Sequence, residues 1–155
     1  MSHPNHVALF VEFHNGKPFR ENVHVKHLDA DRYRLLHSPG FVQGIAAGDE
    51  FRLLDEIGRF EVTHRSGNLV IQVFSDEPVV SFEPELTEQV NALGGWRDGG
   101  IERGVVFSIP VDVGFSAVEQ LFDGLASRWA VAGFTWVYGN VYDPVDGITP
   151  LNWWS

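Results

Sequence analysis

The apolar pattern of this chain changes period near residue 67, and that change limits the available folds more than any other feature. Before it, apolar side chains recur at every second position in short runs broken by turn residues. Val7, Leu9, Val11 and Phe13 share one parity and stop at Asn15-Gly16. Val23 and Val25 alternate with His24 and Lys26 up to Asp29-Ala30-Asp31, and Tyr33 and Leu35 alternate with Arg32 and Arg34 up to Ser38-Pro39-Gly40. Residues 50–54 and the Phe60/Val62 pair mark two more runs, separated by Glu56-Ile57-Gly58 and closed by Arg65-Ser66-Gly67. Strand side chains alternate between faces, so such runs predict strands with one buried face. Five of them, with no helical pattern between, predict a small β-barrel over residues 1–67.

Beyond the change, residues 69–74 are almost continuously apolar, as in a strand covered on both faces. Leu86, Val90 and Leu93 fall at helical spacing and stop at Gly94-Gly95. Val118, Leu121, Phe122, Leu125 and Trp129 form a second helical stripe, with Ser116 and Glu119 spaced as a capping box at its start. Residues 95–103 and 105–109 read as strands between the helices, and Phe134, Trp136 and Tyr138 alternate in a last one. Strand–helix–strand–strand–helix–strand is the ferredoxin-like order. The expected fold is therefore α+β: a small N-terminal β-barrel, then a ferredoxin-like βαββαβ unit over residues 68–155 with a docked C-terminal tail. The join at residues 65–68 is short enough that the two halves are expected to pack as one body.

Chemistry divides near the same place. All seven His (3, 6, 14, 24, 27, 37 and 64) lie in the first 64 residues and all five Trp (96, 129, 136, 153 and 154) after residue 95. Residues 1–75 carry 8 Lys/Arg against 9 Asp/Glu; residues 76–155 carry 3 against 12. An acidic half of this kind repels nucleic acid and anionic lipid and attracts basic proteins. The chain has no Cys, which removes disulfides, thiolate nucleophiles and Cys-based metal sites together. No stretch approaches the roughly 18 apolar residues of a membrane span. Val7 to Phe13 is broken by Glu12, has no Lys or Arg before it, and is too short for a signal-peptide core. The expectation is a cytoplasmic protein with neither nucleic-acid nor membrane partners.

Several of these segments together resemble a known family. They are Tyr33-Arg34-Leu35-Leu36 with Gly44-Ile45-Ala46-Ala47-Gly48-Asp49, then Phe60-Glu61-Val62, Ser66-Gly67 and Leu69-Val70-Ile71-Gln72-Val73. The later run from Val105 through Ile109-Pro110 to Val113, followed by Phe115-Ser116-Ala117-Val118-Glu119-Gln120-Leu121, fits as well. Over roughly residues 7–142 the pattern resembles a bacterial family designated a domain of unknown function, DUF4265. The resemblance implies no particular activity and carries over no catalytic residue.

Among the candidate sites, seven His without Cys raise the question of a metal. His24 and His27 are three apart in a strand, which puts them on opposite faces and prevents chelation. His27, His37 and His64 continue the apolar parity near strand ends, and imidazoles gathered at a barrel mouth bind zinc. In an up-and-down barrel only His37 and His64 share a mouth, and no Asp or Glu stands at a matching parity. No metal or cofactor is expected. Gly48-Asp49 reads as a turn with positive φ at the glycine and Asp49 bonding its own backbone. No G-x-G-x-x-G, G-x-S-x-G or H-E-x-x-H pattern is present, so no reaction is specified.

The acidic half offers more. Glu85 and Glu88 are read into the first turn of helix one, where the helix dipole favours them. Glu119 is accounted for as a capping-box residue. Asp123, four residues later on the same face, has no such account, and like charges at that spacing cost a few tenths of a kcal/mol. Trp153-Trp154 either folds back onto the core or forms an interface anchor. The leading expectation is a non-enzymatic protein-binding domain whose acidic face (Glu85, Glu88, Glu119, Asp123) and terminal Trp153 and Trp154 meet a basic protein. An immunity or antitoxin-type protein neutralising a basic toxin is the concrete version. The alternative is a small-molecule-binding domain or small enzyme using the barrel mouth or the cleft between the halves, with His37 and His64 as its polar groups.

Overall fold

The change of period becomes a change of sheet. A computed structural model describes residues 5–155, folded as α+β. Strands β1 (His6–His14), β2 (Lys17–Asp29), β3 (Arg32–Leu35), β4 (Glu50–Leu53) and β5 (Phe60–His64) form an antiparallel sheet in sequential order. Strand β6 (Asn68–Phe74) then opens a second sheet with β7 (Trp96–Ile101), β8 (Gly104–Pro110) and β9 (Thr135–Tyr138), ordered β7-β8-β6-β9 and antiparallel throughout. Helix α1 (Glu83–Ala92) links β6 to β7, and α2 (Phe115–Arg128) links β8 to β9.

Alternation within β6 explains its unbroken apolar run. Leu69, Ile71 and Val73, with Val105, Phe107 and Ile109 of β8, face the helices and pack on Leu86, Val90, Val118, Phe122 and Leu125. Val70 and Val106 face the other way and meet Ala46 from the first half. Both faces of the second sheet are therefore covered, one by helices and one by the N-terminal unit.

The first unit is not a closed barrel. No β1–β5 ladder is present among the described residues. A bulge between Phe10 and Glu12 leaves Val11 without a partner in the β1–β2 ladder. The turn between β4 and β5 meets β1 at one point, where the Phe10 N–H donates to the Gly58 carbonyl at 2.9 Å. Gly58 sits at φ +95° with a Cβ position only 2.2 Å from the Ala8 carbonyl oxygen, so no larger residue fits this approach. The connection between β3 and β4 covers the remaining open side. It places fully buried Val42 and Ile45 against Leu9, Leu35 and Phe51.

Two local expectations also change. Helix α2 starts at Phe115 behind Gly114 (φ +94°) without a side-chain cap, so Ser116 lies inside its first turn and forms no capping box. In α1 the first-turn acids are Glu83 and Glu85, and Glu88 lies beyond them on an exposed face. Among the described residues no helix is long and apolar enough to cross a membrane.

The tail docks. The Leu151 N–H donates to the Val141 carbonyl at 2.8 Å and the Trp153 Nε1–H to the Asn140 carbonyl at 2.8 Å. The Trp154 ring meets Phe115 edge-on at 5.1 Å. Burying one such side chain fully contributes about 1.5–3 kcal/mol, and both indoles are half-buried. Deleting residues 150–155 is expected to lower the thermal midpoint by an amount equivalent to at least about 2 kcal/mol. An unchanged melt would mean that the tail adds nothing to the core.

Candidate functional site

The loop between β3 and β4 is fixed by two carboxylates. Glu21, mid-strand in β2, accepts the backbone N–H groups of Gly40 (2.9 Å), Phe41 (2.9 Å) and Val42 (3.0 Å). Asp49 accepts the N–H of Ala46 (2.9 Å) and of Ser66 (2.8 Å), with Arg65 at 3.6 Å, and Gly48 beside it takes the expected positive φ. Burial pushes the Asp49 carboxyl up, against the lowering effect of these partners. The loop is joined to the second sheet by Ser38 Oγ with Ser108 Oγ at 2.7 Å and by the buried Gln72 amide, which donates to the carbonyls of Pro39 and Val42.

Beside this seam lies a cleft of about 320 Å³ between the sheets, walled by Phe41, Phe74 and Ile101, with His24, His37 and Asp98 among its polar groups. Asp98 is the unpaired residue of a bulge in β7, between the Arg97 and Gly99 pairings. The bulge turns its carboxylate inward, where it is fully buried. It accepts from the Ser108 hydroxyl and from Trp96 Nε1 (3.2 Å), and His37 Nδ1 lies at 3.4 Å. Burial pushes the Asp98 carboxyl above its ordinary value, against the lowering effects of Ser108 and His37. His37 also meets the edge of His24 at 5.6 Å, and His24 lies 4.3 Å from His6.

His64 does not line this cleft. It is exposed at the end of β5, opposite Glu50. His37 lies beyond the end of β3, where strand parity no longer sets its direction, and its carboxylate neighbour arrives from the other sheet. His27 is held elsewhere, by the Ala30 carbonyl (2.9 Å) and the Tyr33 ring. Among the described residues no group of three or more His, Asp or Glu is placed to hold a metal ion. His3 lies outside the described residues.

A second site lies along β9. Glu119 and Asp123 are one turn apart on α2, and Trp136 and Tyr138 share a face of β9. The two spacings match: the Tyr138 hydroxyl donates to Glu119 at 2.9 Å and the Trp136 Nε1–H to Asp123 at 3.1 Å. Phe122 and Phe115 brace the two rings from beneath, at 5.4 and 5.6 Å. Burial, then the bond to Glu119, pushes the Tyr138 phenol far up, so it remains a donor. These four side chains line a groove of about 640 Å³ with Gln43, Val137, Tyr142 and Asp143. Among the described residues neither Glu119 nor Asp123 has a cationic partner. Arg128 pairs instead with Glu85 at 2.7 Å, and Arg97 with Glu83.

Of the acids singled out from sequence, the structure thus brings Glu119 and Asp123 together, ties Glu85 to Arg128 and leaves Glu88 exposed on α1. Trp153 and Trp154 lie against the helical core. Trp136, Tyr138, Tyr142 and Asp143 were missed as groove residues, although the alternation of Trp136 and Tyr138 signalled a shared face. Asp98 was missed because a bulge sets its direction.

Asp98 generates a pH prediction. Its folded-state value lies above the ordinary 3.8, so its contribution to stability is fully present below about that pH and is lost as pH rises through the raised value. Asp98→Asn removes this loss, and Asp49 titrates alike in both proteins. The thermal midpoint of the variant should therefore gain on that of the natural protein from about pH 4 toward neutrality. A difference that stays constant across this range would show that Asp98 is not buried as a charge.

A family model described as a domain of unknown function (DUF4265) matches residues 21–131, across both sheets and both helices. No curated protein matches the chain. A solved structure titled as a hypothetical protein from Neisseria gonorrhoeae is similar at TM-score 0.67 and 13% identity, covering 90% of this chain and 96% of that one. At that identity the likeness shows a shared fold.

Proposed function

The chain belongs to the DUF4265 family, and we propose that it is a non-enzymatic protein-binding module of the cytoplasm whose groove along β9 receives a basic protein. An immunity or antitoxin-type protein that neutralises a basic toxin is the concrete form. One observation carries the reading: Glu119 and Asp123 stand together at the rim of a groove, hydrogen-bonded by neutral aromatic donors and, among the described residues, facing no cation. Their charge is thereby oriented without being cancelled. A complementary field of this kind steers a partner's approach and sets its register. The acidity of residues 76–155, 12 acids to 3 arginines, extends the same field.

The fold reading that goes with this is a ferredoxin-like second unit behind a half-open barrel. It is supported by the strand order β9-β6-β8-β7 with helices after β6 and β8, and by the hydrogen bond from Phe10 of β1 to Gly58.

The test replaces both carboxylates, Glu119→Gln with Asp123→Asn. Amide oxygens still accept from Tyr138 and Trp136, and a like-charge pair is removed, so stability should stay within a few tenths of a kcal/mol. Association with a partner captured from native lysate at low salt should slow by about tenfold and lose most of its salt dependence. Association indifferent to both salt and substitution would leave the acidity as a solubility device and end this reading.

The cleft between the sheets favours a second reading, small-molecule binding with His37, held by the buried Asp98 carboxylate, as its exposed polar group. His37→Gln would then abolish ligand binding and leave partner association along β9 intact.

A further inference from the structure

Strand β9 is an edge strand, paired with β6 on one side only. Its register decides which backbone groups are free. The Gly139 N–H donates to the Val70 carbonyl, and Val137 and Thr135 face Gln72 and Phe74. Hydrogen-bonded pairs alternate along an antiparallel ladder. Thr135 and Val137 therefore turn their backbone groups inward, as does the Gly139 N–H, while the Gly139 carbonyl accepts the Gly44 N–H at 2.7 Å; Trp136 and Tyr138 turn N–H and C=O outward, where no backbone partner meets them among the described residues.

The two edges of this sheet are treated differently. Edge β7 carries a bulge, the charged Arg97, the inward carboxylate of Asp98 and two glycines, which are the usual devices against pairing with another chain. Edge β9 carries none of them. Its residues Thr135, Trp136, Val137 and Tyr138 are all good strand formers, without charge, proline or bulge. An edge left open in this way is a template for a further strand.

What could occupy it is set by the groove alongside. On the helix side the edge is flanked by Glu119 and Asp123; beyond it stands Asp143. The two helix carboxylates are one turn apart, about 6 Å along the axis, close to the roughly 7 Å between alternate residues of an extended strand. On the other face the exposed Val137 offers an apolar contact. A second copy of this chain is a poor occupant, since pairing β9 with β9 would bring two sets of these carboxylates together.

We propose that β9 accepts an extended segment of a partner protein as an added strand, with lysine or arginine at every second position facing Glu119 and Asp123 and apolar or small residues between. This rests on the reading of the groove as a site for a basic protein and specifies the mode of binding.

The probe is a synthetic peptide of alternating lysine and valine, about eight residues long, with two N-methylated forms: one methylated on the lysine amides, one on the valine amides. In a strand, alternate amides point to opposite edges, so only one set meets β9. The parent peptide should bind at low salt and slow amide exchange at Trp136 and Tyr138 by about tenfold or more. One methylated form should bind about tenfold more weakly than the other. Equal binding by both forms, with exchange at Trp136 and Tyr138 unchanged, would overturn strand addition and leave the acidic groove as a surface site. Failure of the parent peptide to bind at low salt, or binding equal to that of an alternating glutamate–valine peptide, would remove both. Protection of Trp136 and Tyr138 that grows with protein concentration in the absence of peptide would assign the edge to self-pairing and overturn the proposal.

Discussion

The structure depends on a buried polar seam between its two sheets. The loop of residues 36–49 has no regular ladder of its own, yet most of it is buried, so its backbone groups need partners. Glu21 supplies three acceptor contacts, Asp49 two more to backbone, and Gln72 takes two loop carbonyls. No buried side-chain nitrogen or oxygen among the described residues is left unpartnered. Because these bonds reach into both sheets, the loop completes the core of the first unit and fixes the position of the second in the same set of contacts. A buried polar network satisfied in this way favours one arrangement over its near neighbours, since any slip would strand several groups at once.

That seam also leaves the two edges of the second sheet in different surroundings. Edge β7 lies beside the cleft, where its bulge sends Asp98 inward to Ser108 and His37. Edge β9 lies at the far side, bordered by α2 and by the returning C-terminal segment. The first edge is closed by its own chemistry, whereas the second is kept straight and uncharged, with the charges moved onto the neighbouring helix.

Much of this was legible in the sequence. Period-2 runs located the strands of the first sheet, and the continuous run at residues 69–74 announced a strand buried on both faces. The stripes around Leu86 and Val118 located both helices. What was not legible depended on irregularity or distance. No β1–β5 ladder closes the first sheet among the described residues, and the side left open is filled by a loop that no periodic pattern describes. The spacing of Ser116 and Glu119 matches a capping box, but Gly114 at φ +94° lets the helix begin earlier, and Glu119 is left to Tyr138. His37 and Asp98 are 61 residues apart and meet only because two sheets pack together. For the groove, each half was visible as a spacing, four residues on α2 and two on β9; only the packing of helix on strand brought the halves into register.

The chemistry of that register bears on why the groove carries charge at all. Had Glu119 and Asp123 been matched with arginines of the same chain, each pair would have been close to neutral and would have contributed little at an exposed site. Tyr138 and Trp136 instead donate hydrogen bonds that carry no charge. They restrict the carboxylates to one orientation, so less side-chain entropy is lost when a cation arrives. They also present ring faces and edges beside the carboxylates, a setting in which a lysine or arginine gains from both the anion and the π-system. Meanwhile Arg128 and Arg97 are drawn to Glu85 and Glu83 on α1, away from β9. The same residues that make the groove stable in isolation therefore hold its negative charge in place for a cation from outside.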